Sequence, residues 1–354
     1  MSDRFPHFGS YRLTPAQELL LQASLLKEKA ALTAWEQWQS SVDIEVLDAE
    51  SNVLLPQLYQ NLLAHGVEHP HMARLKGIYR RNWYANQLRL KHLKNLLSHL
   101  KDGGIEAIVL GQAALYPCQA ENSRPIDNFH LLIRSDQLDG AIDQLSGLNW
   151  QTANPVNKTL IYLHNHQQYS LYLQSHLFWA IPQDHTDEQV WHYATTDFRD
   201  RAGWRLSPTD QFLDGCARTF FKSRSRQIYG IADAMISIIN AGSDLDWMRL
   251  ITQAQRYQMI LPVRNMLILL QQVLHFSAPS WVLPAIFQMP IAEAEWLNYQ
   301  VLAGDRRSLW RSTVAQSIRL LGHLETQLLH LRNHPFPGRQ LLKNLLKPKK
   351  SALE

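Results

Sequence analysis

Cysteine is nearly absent from this sequence. Only Cys118 and Cys216 occur in 354 residues, and they are far apart. Two distant cysteines cannot form a disulfide framework, and they do not give the paired spacing of a zinc site. The sequence is therefore typical of a protein in a reducing compartment, and we predict a cytoplasmic location.

Long apolar runs are also missing. The N-terminus, MSDRFPHFGSYRL, contains no hydrophobic signal region. The most apolar later stretch, 259–287, is interrupted by Arg264, Gln271, Gln272 and His275. A membrane-spanning helix needs about 20 consecutive apolar residues, so we expect no membrane association.

The excess of one charge sign is small. The chain has 35 Lys and Arg against 31 Asp and Glu, which gives a net charge of +4. This mild bias does not indicate a nucleic-acid partner. The basic residues are concentrated in two stretches, Arg218, Lys222, Arg224 and Arg226, and Arg332, Arg339, Lys343, Lys347, Lys349 and Lys350. The first group is either a phosphate-binding site or a solvated surface.

The first hundred residues have the pattern of packed helices. Thr14 is a good N-cap, Pro15 suits the first helical position, and Glu18 is placed to close the first turn. Apolar residues then recur every three or four positions, and Gly66 is placed to end one of the helices. We predict an all-α N-terminal part, residues 1–100.

The pattern changes at Gly103 and Gly104 to short runs rich in Val, Ile and Leu. IEAIVLG, NFHLLIR, TLIYLHN and YSLYLQS are typical of strands, and DQLDGAIDQLSGLNW of a helix beside them. Helical patterns return after Trp204, with Ser207 as an N-cap. We therefore predict an α+β fold in which a small mixed sheet is flanked by two helical parts. The expected divisions are 1–100 helical, 101–204 α/β core, 205–345 helical and 346–354 a basic tail.

The order of these pieces resembles a known family. LLLQASLL, AIVLGQAALYP, SRPIDNFHLLIR, LSPTDQFL and IYGIADAMISI follow one another along nearly the whole chain. Together they resemble the uncharacterised bacterial nucleotidyltransferase-like family within the DNA polymerase β superfamily. The resemblance implies a minimal nucleotidyltransferase-type sheet held between helical segments.

The resemblance also implies a site. In that superfamily a loop after the first strand holds the nucleotide phosphates, and the next strand carries two acids separated by one residue. A third acid lies on a later strand. Such acids hold two Mg²⁺ ions about 4 Å apart, because hard cations prefer charged oxygen ligands.

The carry-over to this chain finds the acids replaced. Arg124 and Pro125 match the family's Arg-Pro, and this alignment places the two acids at Asn128 and His130. The third acid falls at Tyr172, whose ring would fill the volume left by absent metals and nucleotide. The phosphate loop is altered as well, because Gly111 and Gln112 stand where the family has Lys-Gly. We retain Gly111, Gln112 and Arg124 as candidate nucleotide-binding residues.

Asp127 is the nearby carboxylate that could rescue the site. On a strand it would face away from Asn128 and His130, because successive side chains point to opposite faces. We therefore do not expect it to replace the acids, unless it precedes the strand. Asp233 matches an acid typical of the family's second helical part, and we interpret it as a structural partner of basic or backbone groups.

A second interpretation of His130 is a transition-metal site shared with His164, His166 or His176, since imidazole suits softer ions than Mg²⁺. With 16 histidines in the chain, an ordinary polar strand face accounts for the same residues. Of the 11 tryptophans we expect most in the core and a minority at a binding surface.

Two functions remain open from the sequence. One is a catalytically degenerate nucleotidyltransferase-fold protein that acts as a binding or accessory subunit of a biosynthetic or modifying system, with a protein partner and no cofactor. The other is an active nucleotidyltransferase that uses Asp127 and His130 with Mg²⁺. A nucleoside triphosphate is a candidate ligand, and stabilisation of the fold by one together with Mg²⁺ or Mn²⁺ would favour the enzyme.

Overall fold

The computed structural model describes most of the chain. The described residues are 13–116, 124–153, 159–167, 169–178, 187–198, 202–221 and 227–303. The candidate residues Lys222, Arg224 and Arg226 and the predicted basic tail lie outside them.

The N-terminal part is helical, as predicted. Its helices are α1 (Pro15–Leu25), α2 (Glu28–Ser41), α3 (Ala49–Ala64) and α4 (His71–Asp102). Thr14 caps α1, but Gln17 and not Glu18 completes the capping box, because Gln17 occupies the third helical position. Gly66 lies just beyond α3 with φ of +67°, as expected of a residue that ends a helix.

The strands form one seven-stranded mixed sheet. The strands are β1 (Ala107–Leu110), β2 (Phe129–Ile133), β3 (Trp150–Thr152), β4 (Leu160–Asn165), β5 (Ser170–Gln174), β6 (Thr195–Phe198) and β7 (Gly203–Arg205). Their spatial order is β3-β4-β5-β2-β1-β7-β6. The β2–β5 and β1–β7 pairs are parallel, and the other pairs are antiparallel.

Helices complete both sides of the sheet. Three lie between strands in the sequence, α5 (Gln112–Leu115), α6 (Leu138–Gly147) and α7 (Glu188–Tyr193). The C-terminal part contains α8 (Pro208–Phe221), α9 (Gln227–Ala241), α10 (Trp247–Arg256), α11 (Ile260–Leu274), α12 (Val282–Gln288) and α13 (Glu293–Ala303). No helix in the described ranges combines the length and the hydropathy that a membrane span requires.

The sheet separates two hydrophobic cores. On one face, Val109, Leu131 and Leu173 pack with the second half of α4 and with α6. On the other face, Ile108 and Leu132 belong to a larger core that also contains residues of α1, α3, α8, α9 and α11. The alternation of side chains along each strand thus assigns neighbouring residues to different cores. The N-terminal and C-terminal helical parts share one core on the second face.

The fold confirms the predicted α+β class with a mixed sheet and flanking helices. The last strand predicted from the sequence is YSLYLQS, but the sheet continues to β6 and β7. Strand β7 pairs in parallel with β1, with Ile108 opposite Trp204. The predicted helix DQLDGAIDQLSGLNW also ends earlier than expected, and its final tryptophan begins β3.

Candidate functional site

A small cleft lies where β1 and β2 meet α8 and α9. Its volume is about 50 Å³, which is enough for a phosphate-sized group. The lining residues are Gly111, Gln112, Asp127, Asn128, His130, Arg218, Tyr229, Gly230 and Asp233. The structure thus brings five of the seven sequence-predicted site residues to one cleft.

Gly111 makes the sharp turn between β1 and α5. Its backbone has φ of +65° and ψ of −143°, a conformation that is strained for residues with a Cβ atom. A Cβ here would lie 3.1 Å from Cζ of Arg218. The Gly111 N–H donates to Oδ2 of Asp214 at 3.2 Å. The turn therefore favours glycine, and a Cβ atom here would also crowd the guanidinium group.

Arg218 provides the positive charge next to this turn. It lies one helical turn after Asp214 on α8, and its Nε donates to Asp214 Oδ2 at 2.7 Å. Asp214 is buried, whereas the Arg218 side chain is 17% exposed and lines the cleft. One carboxylate thus orients both the Gly111 turn and the arginine. The sequence carries a signal for this pair, because an acid is followed by an arginine four positions later on a predicted helix. Asp214 was nevertheless not among the predicted site residues.

Arg124 lies beneath the cleft and joins the segment before β2 to α9. It is 1% exposed, forms an ion pair with Asp233, and donates from Nη1 to the Tyr229 carbonyl at 2.8 Å. With its amide oriented to satisfy both neighbours, Gln112 accepts from Arg124 Nη2 at 2.9 Å and donates to the Pro125 carbonyl at 3.0 Å. The structural role predicted for Asp233 is confirmed, and Arg124 and Gln112 belong to the same support.

Asp127, Asn128 and His130 all line the cleft. The strand β2 begins at Phe129, so Asp127 and Asn128 precede it and do not follow its alternation. Asp127 is exposed, and Asn128 and His130 are half-buried. The expectation that Asp127 would face away applied to a residue within the strand, and Asp127 is the exception because it precedes β2.

Tyr172 lies beside His130 on the neighbouring parallel strand. The two residues are opposite each other in register, and their rings stack with centroids 4.6 Å apart and planes 8° from parallel. Tyr162 on β4 packs against the other side of Tyr172, with ring centroids 5.0 Å apart. Aromatic rings therefore occupy the positions at which the resemblance places the second and third acids.

Gln174, further along β5, has a structural role. Its Nε2 donates to the carbonyls of His176 and Leu177, both at 2.9 Å, where the chain leaves the strand. His176 itself lies beside Asp187, with Nδ1 3.8 Å from Oδ2. These contacts hold the end of β5 to the segment that precedes α7.

The donor atoms of Asn128 and His130 differ from the carboxylates that hold a two-metal centre. Asn128 offers a neutral amide oxygen and His130 an imidazole nitrogen, which is a poor ligand for Mg²⁺. Among the described residues, no three His, Cys, Asp or Glu side chains converge as a metal site. His130 therefore does not form a three-ligand site with His164, His166 and His176, all of which are described.

Cys216 lies one turn from this site but faces the interior. It is fully buried on α8, and burial raises the pKa of its thiol well above the ordinary value. A buried thiol of this kind is chemically inert. The reactive groups of the cleft are therefore its carboxylates, His130 and Arg218.

Comparison with known proteins agrees with the resemblance. Residues 46–275 match the sequence profile of a family described as uncharacterised nucleotidyltransferase. The crystal structure of an antigenic nucleotidyltransferase-like protein from Paracoccidioides brasiliensis is 16% identical to the chain, with a TM-score of 0.35, and the match covers 55% of this chain and 95% of that one. No match is found among proteins with curated descriptions. Since the profile spans more than half of the chain, including both β1 and β2 and the helices that line the cleft, this protein belongs to the uncharacterised nucleotidyltransferase family.

Proposed function

We propose that the protein binds a nucleotide through its phosphates without transferring a nucleotidyl group, and that it acts as a binding or accessory subunit of a biosynthetic or modifying system. One observation carries the proposal. The ring of Tyr172 lies flat against His130, in place of the carboxylates that the family resemblance puts there. An imidazole and a phenol ring do not supply the negative charge that a pair of Mg²⁺ ions needs.

The binding part of the proposal is supported by Arg218. Its Nε is paired with Asp214, while its Nη groups make no hydrogen bond to any described residue. A guanidinium group held by one edge can donate to phosphate oxygens with the other, in the two-point geometry that favours arginine at such sites. The small size of the cleft suits the phosphates better than the base or the sugar.

The accessory part is supported by an exposed apolar patch on α4. Trp83, Tyr84 and Leu88 are 46%, 63% and 47% exposed. Tryptophan and tyrosine are enriched among the residues that dominate protein interfaces. Trp35, Trp38, Trp150 and Trp191 are buried, but Trp281 and Trp296 are 43% and 40% exposed, so fewer of the described tryptophans lie in the core than expected.

A titration with ATP in the presence of EDTA tests the binding step. Ligand binding to the native state raises the melting temperature, so we expect a saturable increase for wild type. The increase should be lost in Arg218→Gln and retained in Arg81→Gln, which removes the same charge from the exposed surface of α4. No stabilisation of wild type, or equal stabilisation of both variants, would contradict the proposed role of the cleft.

A transfer assay tests the second part of the proposal, that the protein does not transfer a nucleotidyl group. With ATP labelled at the α-phosphate and Mg²⁺ or Mn²⁺, we expect no incorporation of label into the protein or into a host lysate. The loss of charged metal ligands removes several kcal/mol of transition-state stabilisation.

An active enzyme is the second candidate, and the position of Asp127 favours it. Its carboxylate precedes β2, is exposed and lines the same cleft as His130 and Arg218. If the protein transfers nucleotidyl groups, Asp127→Ala should abolish incorporation, while Asp136→Ala, an equally exposed carboxylate outside the cleft, should leave it unchanged. That result would replace our proposal with this one.

A further inference from the structure

A second and larger cavity lies among the N-terminal helices, where the junction of α1 and α2 meets α3 and α4. Its volume is about 420 Å³, which falls within the range of about 300–1,000 Å³ typical of small-molecule sites. It shares no lining residue with the cleft at β1 and β2. The lining residues are Lys27, Gln57, Tyr59, Gln60, Asn61, Leu63, Ala64, Lys76, Tyr79 and Arg80.

The charge of this cavity has one sign. Lys27, Lys76 and Arg80 line it, and none of its lining residues is an acid. Lys76 and Arg80 are also four residues apart on α4, so their charges lie on the same face of the helix and repel each other. An anion bound between them would relieve this repulsion.

The helix that carries this pair extends the positive field. Asp102 is the one acid in α4, against eight basic residues, which are Arg74, Lys76, Arg80, Arg81, Arg89, Lys91, Lys94 and Lys101. A concave surface lined by one sign of charge raises the local concentration of oppositely charged ligands. The net charge of the whole chain, which predicts no anionic partner, conceals this local concentration.

The polar groups of the cavity point to a ligand with hydrogen-bond donors. Gln57 and Gln60 line the cavity, and the Oε1 atom of each is buried, makes no hydrogen bond to a described residue, and becomes accessible to a ligand if its amide rotates. A buried acceptor without a partner costs about 1–3 kcal/mol, so a ligand that donates to it is favoured. Tyr59 and Tyr79, with ring centroids 5.2 Å apart, complete the wall.

We propose that this cavity binds a hydroxylated organic phosphate, a small molecule of the sugar-phosphate class. The phosphate would lie between Lys27, Lys76 and Arg80, and the hydroxyl groups would donate to Gln57 and Gln60. This site is independent of the function proposed for the cleft.

Isothermal titration with ribose 5-phosphate tests this site, with inorganic phosphate and ribose as the two partial ligands. All titrations use the Arg218→Gln variant, so that binding at the cleft does not contribute. We expect saturable binding of ribose 5-phosphate that is at least tenfold tighter than that of either partial ligand. It should weaken as salt is raised, because the contacts are ionic.

Two pairs of variants locate the site. Lys76→Glu with Arg80→Glu should weaken ribose 5-phosphate binding at least tenfold, whereas Arg81→Glu with Lys91→Glu, the same charge change on exposed positions of the same helix, should not. Gln60→Leu should weaken the binding of ribose 5-phosphate and leave the binding of inorganic phosphate unchanged.

The proposal is overturned if ribose 5-phosphate does not bind, if it binds no tighter than inorganic phosphate, or if both pairs of charge variants have the same effect on its binding. It is also overturned if a single-stranded oligonucleotide binds this cavity and the sugar phosphate does not.

Discussion

Gly111 combines a strained backbone with a position in the cleft, and these two properties can be separated. We expect Gly111→Ala to lower the free energy of unfolding by about 1–3 kcal/mol, because a Cβ atom disfavours this conformation and meets Arg218. The variant should also lose the stabilisation by ATP. Urea unfolding with and without ATP measures both effects.

Gly66→Ala is the matched control for this variant. Gly66 has a similar φ of +67°, but no atom lies within 4 Å of the Cβ it would gain. In Gly66→Ala the free energy of unfolding should fall by about 1–2 kcal/mol through backbone strain alone. The variant should keep its stabilisation by ATP. If both variants keep that response, the Gly111 turn does not shape a ligand site.

Glu295 on α13 predicts a pH dependence of stability. The side chain is 3% exposed, and its Oε1 accepts from the Leu261 N–H at 2.6 Å, near the start of α11. Burial raises the pKa of this carboxyl to about 7, although the hydrogen bonds and Arg264 act in the opposite direction. The folded protein therefore binds the proton more tightly than the unfolded chain does.

The sign of the effect follows from this pKa. The contribution of protonated Glu295 to the free energy of unfolding is fully present below pH 4.5, the ordinary pKa of the group. It is lost as the pH rises through about 7. Across this pH range we expect the free energy of unfolding of wild type to fall by up to about 3 kcal/mol relative to that of Glu295→Gln. Glutamine keeps an acceptor for the Leu261 N–H but cannot ionise. Parallel curves for the two proteins in urea unfolding between pH 4.5 and 8 would contradict this prediction.

Single residues were predictable from the sequence where the signal is local or where the family resemblance covers them. Thr14 and Pro15 start α1 because the cap and its helix are neighbours in the chain. The pairing of His130 with Tyr172 was implied by the resemblance. The contact between Asp214 and Gly111 joins residues 103 positions apart, and no local pattern predicts it. The position of Asp127 depended on where β2 begins, which the local pattern left open.

At the scale of elements, the crossing of α8 and α9 positions one wall of the cleft. A Cβ on Gly230 would lie 1.8 Å from Oγ1 of Thr219, a buried residue of α8. Only glycine lets the two helices approach this closely, and the approach places Tyr229, Gly230 and Asp233 at the cleft. The crossing is therefore part of the site and not only of the core.

We expect Gly230→Ala to destabilise the protein by about 1–3 kcal/mol, the usual cost of overpacking. Gly77→Ala on α4 is the control, since no atom lies within 4 Å of its added Cβ, and alanine in a helix interior should stabilise by about 0.5–1 kcal/mol. Thermal unfolding should show opposite signs for the two variants. If both variants were stabilised, α8 and α9 would be able to move apart without a loss of free energy of unfolding.

Elements were predicted best where they are long and periodic. The helices of the N-terminal part were recognised because their apolar residues repeat over many turns. Strands β6 and β7 were not, since they are four and three residues long and β7 is specified by pairing with β1. Such pairing depends on residues distant in the chain and leaves no local pattern.

At the scale of the whole molecule, the central feature is the position of the cleft. It opens on the sheet face that the two helical parts cover together, next to the apolar residues Ile108 and Leu132. His130 and Tyr172 share this face, and their stacked rings stand where the family resemblance expects carboxylates. We propose as the central claim that this cleft does not hold catalytic metal ions.

The most direct test restores the acids. In the variant Asn128→Asp, His130→Asp, Tyr172→Glu, three carboxylates converge, so their repulsion should lower the melting temperature in EDTA, and Mn²⁺ should restore it. A control, Asn95→Asp, Gln151→Glu, Gln255→Glu, places the same added charge on three separate exposed positions. The account predicts a Mn²⁺-dependent increase in melting temperature for the first variant and none for wild type or the control. A comparable increase in wild type would show that the native cleft still binds the metal, and equal responses of the two variants would show that Asn128, His130 and Tyr172 do not share one site.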